Sequence, residues 1–173
     1  MTMIETTIRN PATMSDSIVV GLGEMKVTNV PTVLSCIGIG SCIAVCIYDT
    51  VFKIGGMAHI VLPLHDGRPG ANLSKYANTG VPLLIQEMLK HGGTRNRFCI
   101  KLAGGAQMSL APGLKNTFKT GERNLEEVKA ALTREGLIVA ATDVGGAKGR
   151  TVKMFLDSGR VTVKIAGGEE RDL

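Results

Sequence analysis

Aromatic side chains are scarce in this chain of 173 residues, which has no tryptophan, two tyrosines and four phenylalanines. They are not interleaved with the 20 lysines and arginines, as a surface that stacks on bases would require. Although the net charge is +5, we therefore expect no nucleic-acid binding. A mild positive field of this kind would suit an acidic protein surface equally well.

The sequence also lacks an apolar run long enough to cross a membrane, and no charged start leads into an apolar leader segment. We expect no membrane insertion and a cytoplasmic location, in which the four cysteines stay reduced. Hydrophobic residues make up 44% of the chain, which predicts one globular domain with a core of aliphatic side chains and methionine.

Short apolar runs between glycines and prolines predict a chain rich in strands. The predicted strands cover residues 17–20, 24–27, 33–37, 42–48, 53–62, 98–102, 137–144, 151–156 and 161–165. Together with two helices they favour an α/β or α+β layered domain. We place this domain at 16–166, after a variable lead-in at 1–15 and before a flexible tail at 167–173.

Two amphipathic segments predict the helices. The first lies within 74–90 and starts either at a Ser74 cap, with a kink at Pro82, or at an Asn78 cap with the proline in its first turns. The second starts after Asn124, because a glutamate three residues later completes a capping box.

The segment from 35 to 63 contains three of the four cysteines and one of the three histidines. Its glycine turn ends at Gly40 and Ser41, whose backbone N–H groups could hold a developing oxyanion, and Cys42 follows directly. An antiparallel return of the next strand would bring His59 beside this thiol. Alone, each residue fits a buried core position equally well; together they form a nucleophile and its general base.

Metal and phosphate sites are not indicated. The cysteine spacings lack the paired C-x-x-C knuckles of structural zinc sites, and no glycine-rich phosphate loop of the G-x-x-x-x-G-K-[ST] type occurs. We expect neither a metal nor an organic cofactor.

Six segments together resemble the CheD family of chemoreceptor glutamine deamidases. They are GIGSCIAVCIYD (38–49), GGMAHIVLP (55–63), SKYANTGVPLLIQEML (74–89), KLAGGAQM (101–108), GERN (121–124) and DVGGAKGRTVKMFLDSGRV (143–161). They occur in the family's order, so the resemblance is more specific than any single glycine motif.

The resemblance implies two packed mixed β-sheets flanked by helices, similar to the cytotoxic necrotizing factor deamidases. It implies that Cys42 is the nucleophile and His59 the base in the hydrolysis of receptor glutamines to glutamates, with related hydrolysis of glutamate methyl esters. The implied partners are the cytoplasmic helices of methyl-accepting chemoreceptors and a CheC-type phosphatase. A non-enzymatic adaptor that binds these partners is the alternative.

One position departs from the family pattern. The family places a threonine, which can orient the histidine, six residues before the nucleophile, and here that position is Cys36. A thiol is a weaker hydrogen-bonding group, so orientation of His59 would be poorer or would come from elsewhere, with Ser35 and Thr32 the nearest hydroxyls. Alternatively, Cys36 and Cys42 form a reversible disulfide.

Overall fold

The computed structural model describes residues 17–107 and 119–173, and the predicted lead-in lies outside these ranges. The described residues form ten strands and two α-helices. The strands are β1 (Ser17–Val19), β2 (Met25–Thr28), β3 (Val33–Ile39), β4 (Ile43–Asp49), β5 (Ile54–Ile60), β6 (Phe98–Gly104), β7 (Val139–Val144), β8 (Arg150–Phe155), β9 (Val161–Ile165) and β10 (Glu170–Asp172). The helices are α1 (Ala77–Lys90) and α2 (Thr120–Arg134), and short 3₁₀ turns cover Leu73–Lys75 and Arg95–Arg97.

The strands form two five-stranded sheets, with the orders β1-β3-β8-β9-β10 and β2-β5-β4-β6-β7. Each sheet is mixed, because β1 runs parallel to β3 and β6 runs parallel to β7 while the other neighbours are antiparallel. One buried cluster fills the space between the sheets, and a second lies between the β4 sheet and the two helices. This arrangement confirms the predicted α+β fold; the likeness to the toxin deamidases stays a prediction.

Strands β4 and β5 form the centre of the molecule. They pair antiparallel over seven residues each, and every residue of both strands is buried, as two continuous apolar runs predict. Gly55 and Gly56 mark close approaches by side chains on opposite faces, since an added Cβ would lie 2.1 Å from Leu156 and 2.7 Å from Met88. Side chains from the residue after β8 and from α1 therefore fill the space that the two glycines leave open.

Helix α1 begins at Ala77 after Tyr76, which makes no side-chain cap, so neither predicted cap is correct. Ser74 instead lies in a 3₁₀ turn, where its backbone N–H donates to Asn72. In the described ranges, neither helix is long and apolar enough to span a membrane.

Helix α2 begins at Thr120, four residues before the predicted cap at Asn124. Its first turn packs directly on the loop after β6, where an added Cβ on Gly121 would lie 2.6 Å from the carbonyl oxygen of Gly105. This close contact is possible only because residue 121 has no side chain, and it places Asn124 inside the helix instead of at its cap.

The C-terminal residues pair with a sheet, whereas the sequence predicts a flexible tail at 167–173. Glu170–Asp172 form β10, which pairs antiparallel with β9, and the backbone N–H of Leu173 donates to Val161. A short polar edge strand carries little apolar pattern, which is why the sequence did not reveal it.

Candidate functional site

Cys42 lies where the chain crosses from one sheet to the other. Strand β3 belongs to the first sheet and β4 to the second, and the register of β3 against β8 shifts by one residue between Cys36 and Ile39. Gly38 has a φ of 71° in this bulge, a conformation that glycine adopts without strain. The bulge turns the chain out of the first sheet, and Cys42, the residue just before β4 of the second sheet, has 9% of its surface exposed.

His59 lies on the same face of the β4–β5 pair as Cys42. Its direct partner across the ladder is Ala44, and side chains two residues apart on a strand point to the same face. Cys42 directly precedes β4, two residues before the partner of His59, so an extension of the ladder by one residue would make Cys42 and His59 diagonal neighbours, whose Cα atoms lie about 7–8 Å apart. The imidazole is 2% exposed and lies at the boundary between the two sheets.

A backbone carbonyl orients the His59 ring. Nδ1 lies 3.2 Å from the carbonyl oxygen of Val20, and because that oxygen can only accept, Nδ1 carries the proton. Nε2 then has the free lone pair, and it is buried without a hydrogen-bond partner among the described residues, Cys42 included. Burial lowers the pKa of His59, although the Val20 carbonyl and the nearby Glu24 act in the opposite direction.

Burial also raises the pKa of the Cys42 thiol, while its own backbone N–H acts to lower it. Near neutral pH the two groups are thus a neutral thiol and a neutral imidazole. This pair suits a base that removes the thiol proton as sulfur attacks, rather than a thiolate that exists beforehand.

Cys36 is fully buried on β3, in the cluster between the sheets that also contains Cys42 and Cys46. Burial raises the pKa of its thiol far above the ordinary range, with further contributions from Cys46 and Cys42. All four cysteines are free thiols. The orienting contact to His59 comes from the carbonyl of Val20 and not from position 36, and the hydroxyl of Ser35 donates to Ile18 instead.

The carbonyl groups of the turn before β4 all point into the protein. The carbonyl oxygen of Gly40 accepts from Ala106 at 2.8 Å, and that of Cys42 accepts from Gly105 at 2.8 Å. The carbonyl oxygen of Ser41 accepts from Asn124 Nδ2 at 2.9 Å. No acceptor for the N–H groups of Gly40 and Ser41 is found within 17–107 and 119–173. The use of these N–H groups as oxyanion donors stays a prediction.

Gly104 gives the turn its close support. It has a φ of 124°, and an added Cβ would lie 2.2 Å from the carbonyl oxygen of Cys42 and 2.5 Å from Ile39. Any side chain at this position would displace the backbone of the candidate nucleophile.

A buried ion pair stabilises the other side of the same loop. Arg150 Nε donates to Asp143 at 2.9 Å, with both residues less than a tenth exposed, and the Arg150 guanidinium also donates to the carbonyl oxygens of Gly104 and Gly145. Arg150 belongs to the first sheet and Asp143 to the second, so this pair fastens the two sheets together beside the turn.

Sequence reasoning missed the role of Asn124. Its side chain is 0% exposed, and Nδ2 donates to the carbonyl oxygens of Ser41 and Val61, both at 2.9 Å. Oδ1 is buried without a partner among the described residues. The available signal was an asparagine on the inward stripe of an amphipathic helix, where Gly121 and Val128 are also buried.

Comparison with known proteins agrees with the resemblance. The family model described as CheD chemotactic sensory transduction matches residues 61–165. The "Probable chemoreceptor glutamine deamidase CheD" of Desulfitobacterium hafniense is 42% identical over 158 residues, covering 91% of this chain and 99% of its own. The "Chemoreceptor glutamine deamidase CheD" of Thermotoga maritima is 40% identical over 159 residues, covering 90% and 96%.

The family model match begins after both Cys42 and His59. The alignments with the two relatives cover 91% and 90% of this chain, so they include both positions. Identity at this level over nearly the full length of both proteins shows common descent. The chain belongs to the CheD family.

Proposed function

We propose that this protein hydrolyses glutamine side chains of methyl-accepting chemoreceptors to glutamates, with Cys42 as nucleophile and His59 as general base and acid. The observation that carries this proposal is the state of His59. Its Nδ1 is fixed by Val20 and its Nε2 is buried without a described partner, on the face of the ladder that it shares with Cys42. The names of the 38–43% identical relatives support the substrate class.

In the first half of the reaction, Nε2 of His59 takes the thiol proton as Sγ of Cys42 attacks the carboxamide carbon. The new S–C bond leaves a negative charge on the former carbonyl oxygen. When this intermediate collapses, the C–N bond breaks and the imidazolium gives its proton to the departing ammonia. A thioester between Cys42 and the glutamyl side chain remains.

In the second half, the neutral imidazole activates water, which attacks the thioester carbon. The C–S bond breaks, the proton returns to sulfur, and the product is a glutamate. The same second step would complete hydrolysis of a glutamate methyl ester, in which methanol replaces ammonia as the leaving group. Neither half needs a metal ion or an organic cofactor.

The turn supplies the donors for the negative oxygen. Because a trans peptide directs its C=O and N–H to opposite sides, carbonyls held inside the protein leave the N–H groups of Ser41 and Cys42 facing the opposite way. Donors fixed in this manner stabilise a developing oxyanion without reorganisation. The net charge of +5 suits acidic receptor helices. Binding of a CheC-type phosphatase stays a prediction of the family resemblance.

The test is conversion of receptor glutamine to glutamate, followed by tandem mass spectrometry on a purified cytoplasmic receptor fragment. We expect conversion by the wild-type protein, by Cys46→Ala and by Cys99→Ala, and none by Cys42→Ala. Conversion by Cys42→Ala at the wild-type rate would overturn the assignment of the nucleophile. Binding of the fragment without any conversion by the wild type would favour the adaptor function instead.

A further inference from the structure

Asn124 contacts both chain segments that carry the candidate catalytic pair. Its Nδ2 donates to the carbonyl oxygen of Ser41, the residue before Cys42, and to that of Val61, two residues after His59. Both amide hydrogens are used, which fixes the orientation of the side chain. One buried group on α2 thus joins the start of β4 to the end of β5.

The hydrogen bond to Ser41 acts on a particular peptide. The C=O of Ser41 and the N–H of Cys42 belong to the same planar unit and point in opposite directions. Holding the carbonyl oxygen at 2.9 Å from Asn124 therefore sets the direction of the Cys42 N–H. We propose that Asn124 is a positioning residue, which holds this N–H toward the oxyanion that forms when Cys42 attacks a carbonyl carbon. This inference rests on the proposed function.

The unpartnered oxygen favours this role over a purely structural one. Oδ1 is buried and has no hydrogen-bond partner among the described residues, an arrangement that destabilises the fold. The neighbouring inward positions of α2, Val128, Ala131 and Leu132, carry apolar side chains, which pack at such sites without this cost. An asparagine is explained if its two donors are needed, one for the turn at Ser41 and one for the end of β5 at Val61.

Two small reagents separate an effect on the oxyanion from an effect on the thiol, and neither requires a receptor. With p-nitrophenyl acetate, Sγ of Cys42 attacks the ester carbon, an oxyanion forms, and p-nitrophenolate leaves as the acetyl thioester appears. With iodoacetamide, Sγ displaces iodide from a saturated carbon and no oxyanion forms. In both reactions the thiol proton passes through His59 to solvent.

In the full-length protein, we expect Asn124→Leu to lower the rate of Cys42 acylation about 100-fold, the effect of losing one oxyanion donor. The rate of alkylation and its pH profile should stay unchanged. Asn124→Asp keeps the shape but lacks at least one of the two donors, so its acylation rate should also fall. The control is Thr133→Val, which removes a hydroxyl bonded to Lys129 on the same helix, and should change neither rate.

Unchanged acylation in the folded Asn124 variants would overturn the inference, as would alkylation that falls in parallel with acylation. Absence of acylation at Cys42 of the wild type, or loss of folding in both variants by circular dichroism, would overturn it as well. The two proposals can also fail separately. If the wild-type protein converts no receptor glutamine but the Asn124 variants still lose acylation of Cys42, the proposed function is refuted and the role of Asn124 is supported.

Discussion

The two faces of β4 carry different side chains although both are fully buried. The face against the helices has branched aliphatic residues: Ile43, Val45 and Ile47. The face toward the other sheet, together with the residue just before the strand, has two cysteines, an alanine and a tyrosine: Cys42, Ala44, Cys46 and Tyr48. Burial alone therefore does not distinguish the face that packs on the helices from the face that carries the candidate catalytic pair.

Size and bonding distinguish them. Ala44 is the cross-strand partner of His59, so a methyl group opposite the imidazole leaves room for the ring between the sheets. The charged residue on the aliphatic face of β4 is Asp49, which lies at the end of the strand and pairs with Arg97 at 2.8 Å. The rest of this face binds α1 and α2 by close packing. We therefore expect substitutions on the two faces to affect different measurements.

After the loss of the nucleophile itself, the largest effect is expected at His59. His59→Gln removes the general base and should lower the deamidation rate by about 10²–10⁴, because proton transfer by a positioned side chain contributes that much. The initial rate on a receptor fragment measures it. Met57→Leu, on the same face two residues earlier, should keep the wild-type rate. A His59→Gln rate within tenfold of wild type would remove the histidine from the mechanism.

On the aliphatic face, Ile47→Ala should lower the free energy of unfolding by about 3 kcal/mol, since it deletes buried methyl groups and leaves a cavity. The rate per folded molecule should stay the same. Urea unfolding measures the stability, and Val51→Ala on the exposed turn after β4 is the control. Loss of activity without loss of stability would show that the two faces are not separate.

The pH dependence of the rate should show the buried state of His59. Burial lowers its pKa below 6.5, so the imidazole stays a neutral base as pH falls to 6.5 and the acidic limb of the rate profile lies lower still. Because the unfolded chain then binds more protons than the folded one, stability also falls as pH drops from 6.5 toward the folded pKa. A rate profile measured on wild type with an acidic midpoint above 6.5 would contradict this.

The smallest effect is expected at Cys36, across the inter-sheet cluster. Cys36→Thr should raise the rate by no more than about tenfold, since one neutral hydrogen bond contributes about 0.5–1.5 kcal/mol and the carbonyl of Val20 already orients His59. Rates of the two proteins in reductant measure the effect. A larger increase would show that the backbone contact orients the ring poorly, and thiol titration under oxidant would reveal any Cys36–Cys42 disulfide.

The sequence predicts the central strands from their long apolar runs. It also predicts that Cys42 and His59 lie on one face, because two such runs joined by a short turn pair antiparallel. The orienting group of His59 could not be predicted, since a backbone carbonyl at Val20 has no residue signature. Asn124 was predicted as a helix cap because the pattern after it matches a capping box. The packing of Gly121 on the loop after β6 moves the helix start, and only the tertiary structure shows that.

Gly104 gives a criterion for sorting relatives of this chain. Its absent side chain is what permits the carbonyl oxygen of Cys42 to lie 2.2 Å from where a Cβ would stand. A relative with any other residue there must hold its cysteine turn in a different conformation, even if it keeps the cysteine and the histidine. Among relatives, we therefore expect glycine at this position in the proteins that deamidate and other residues in those that keep only the fold.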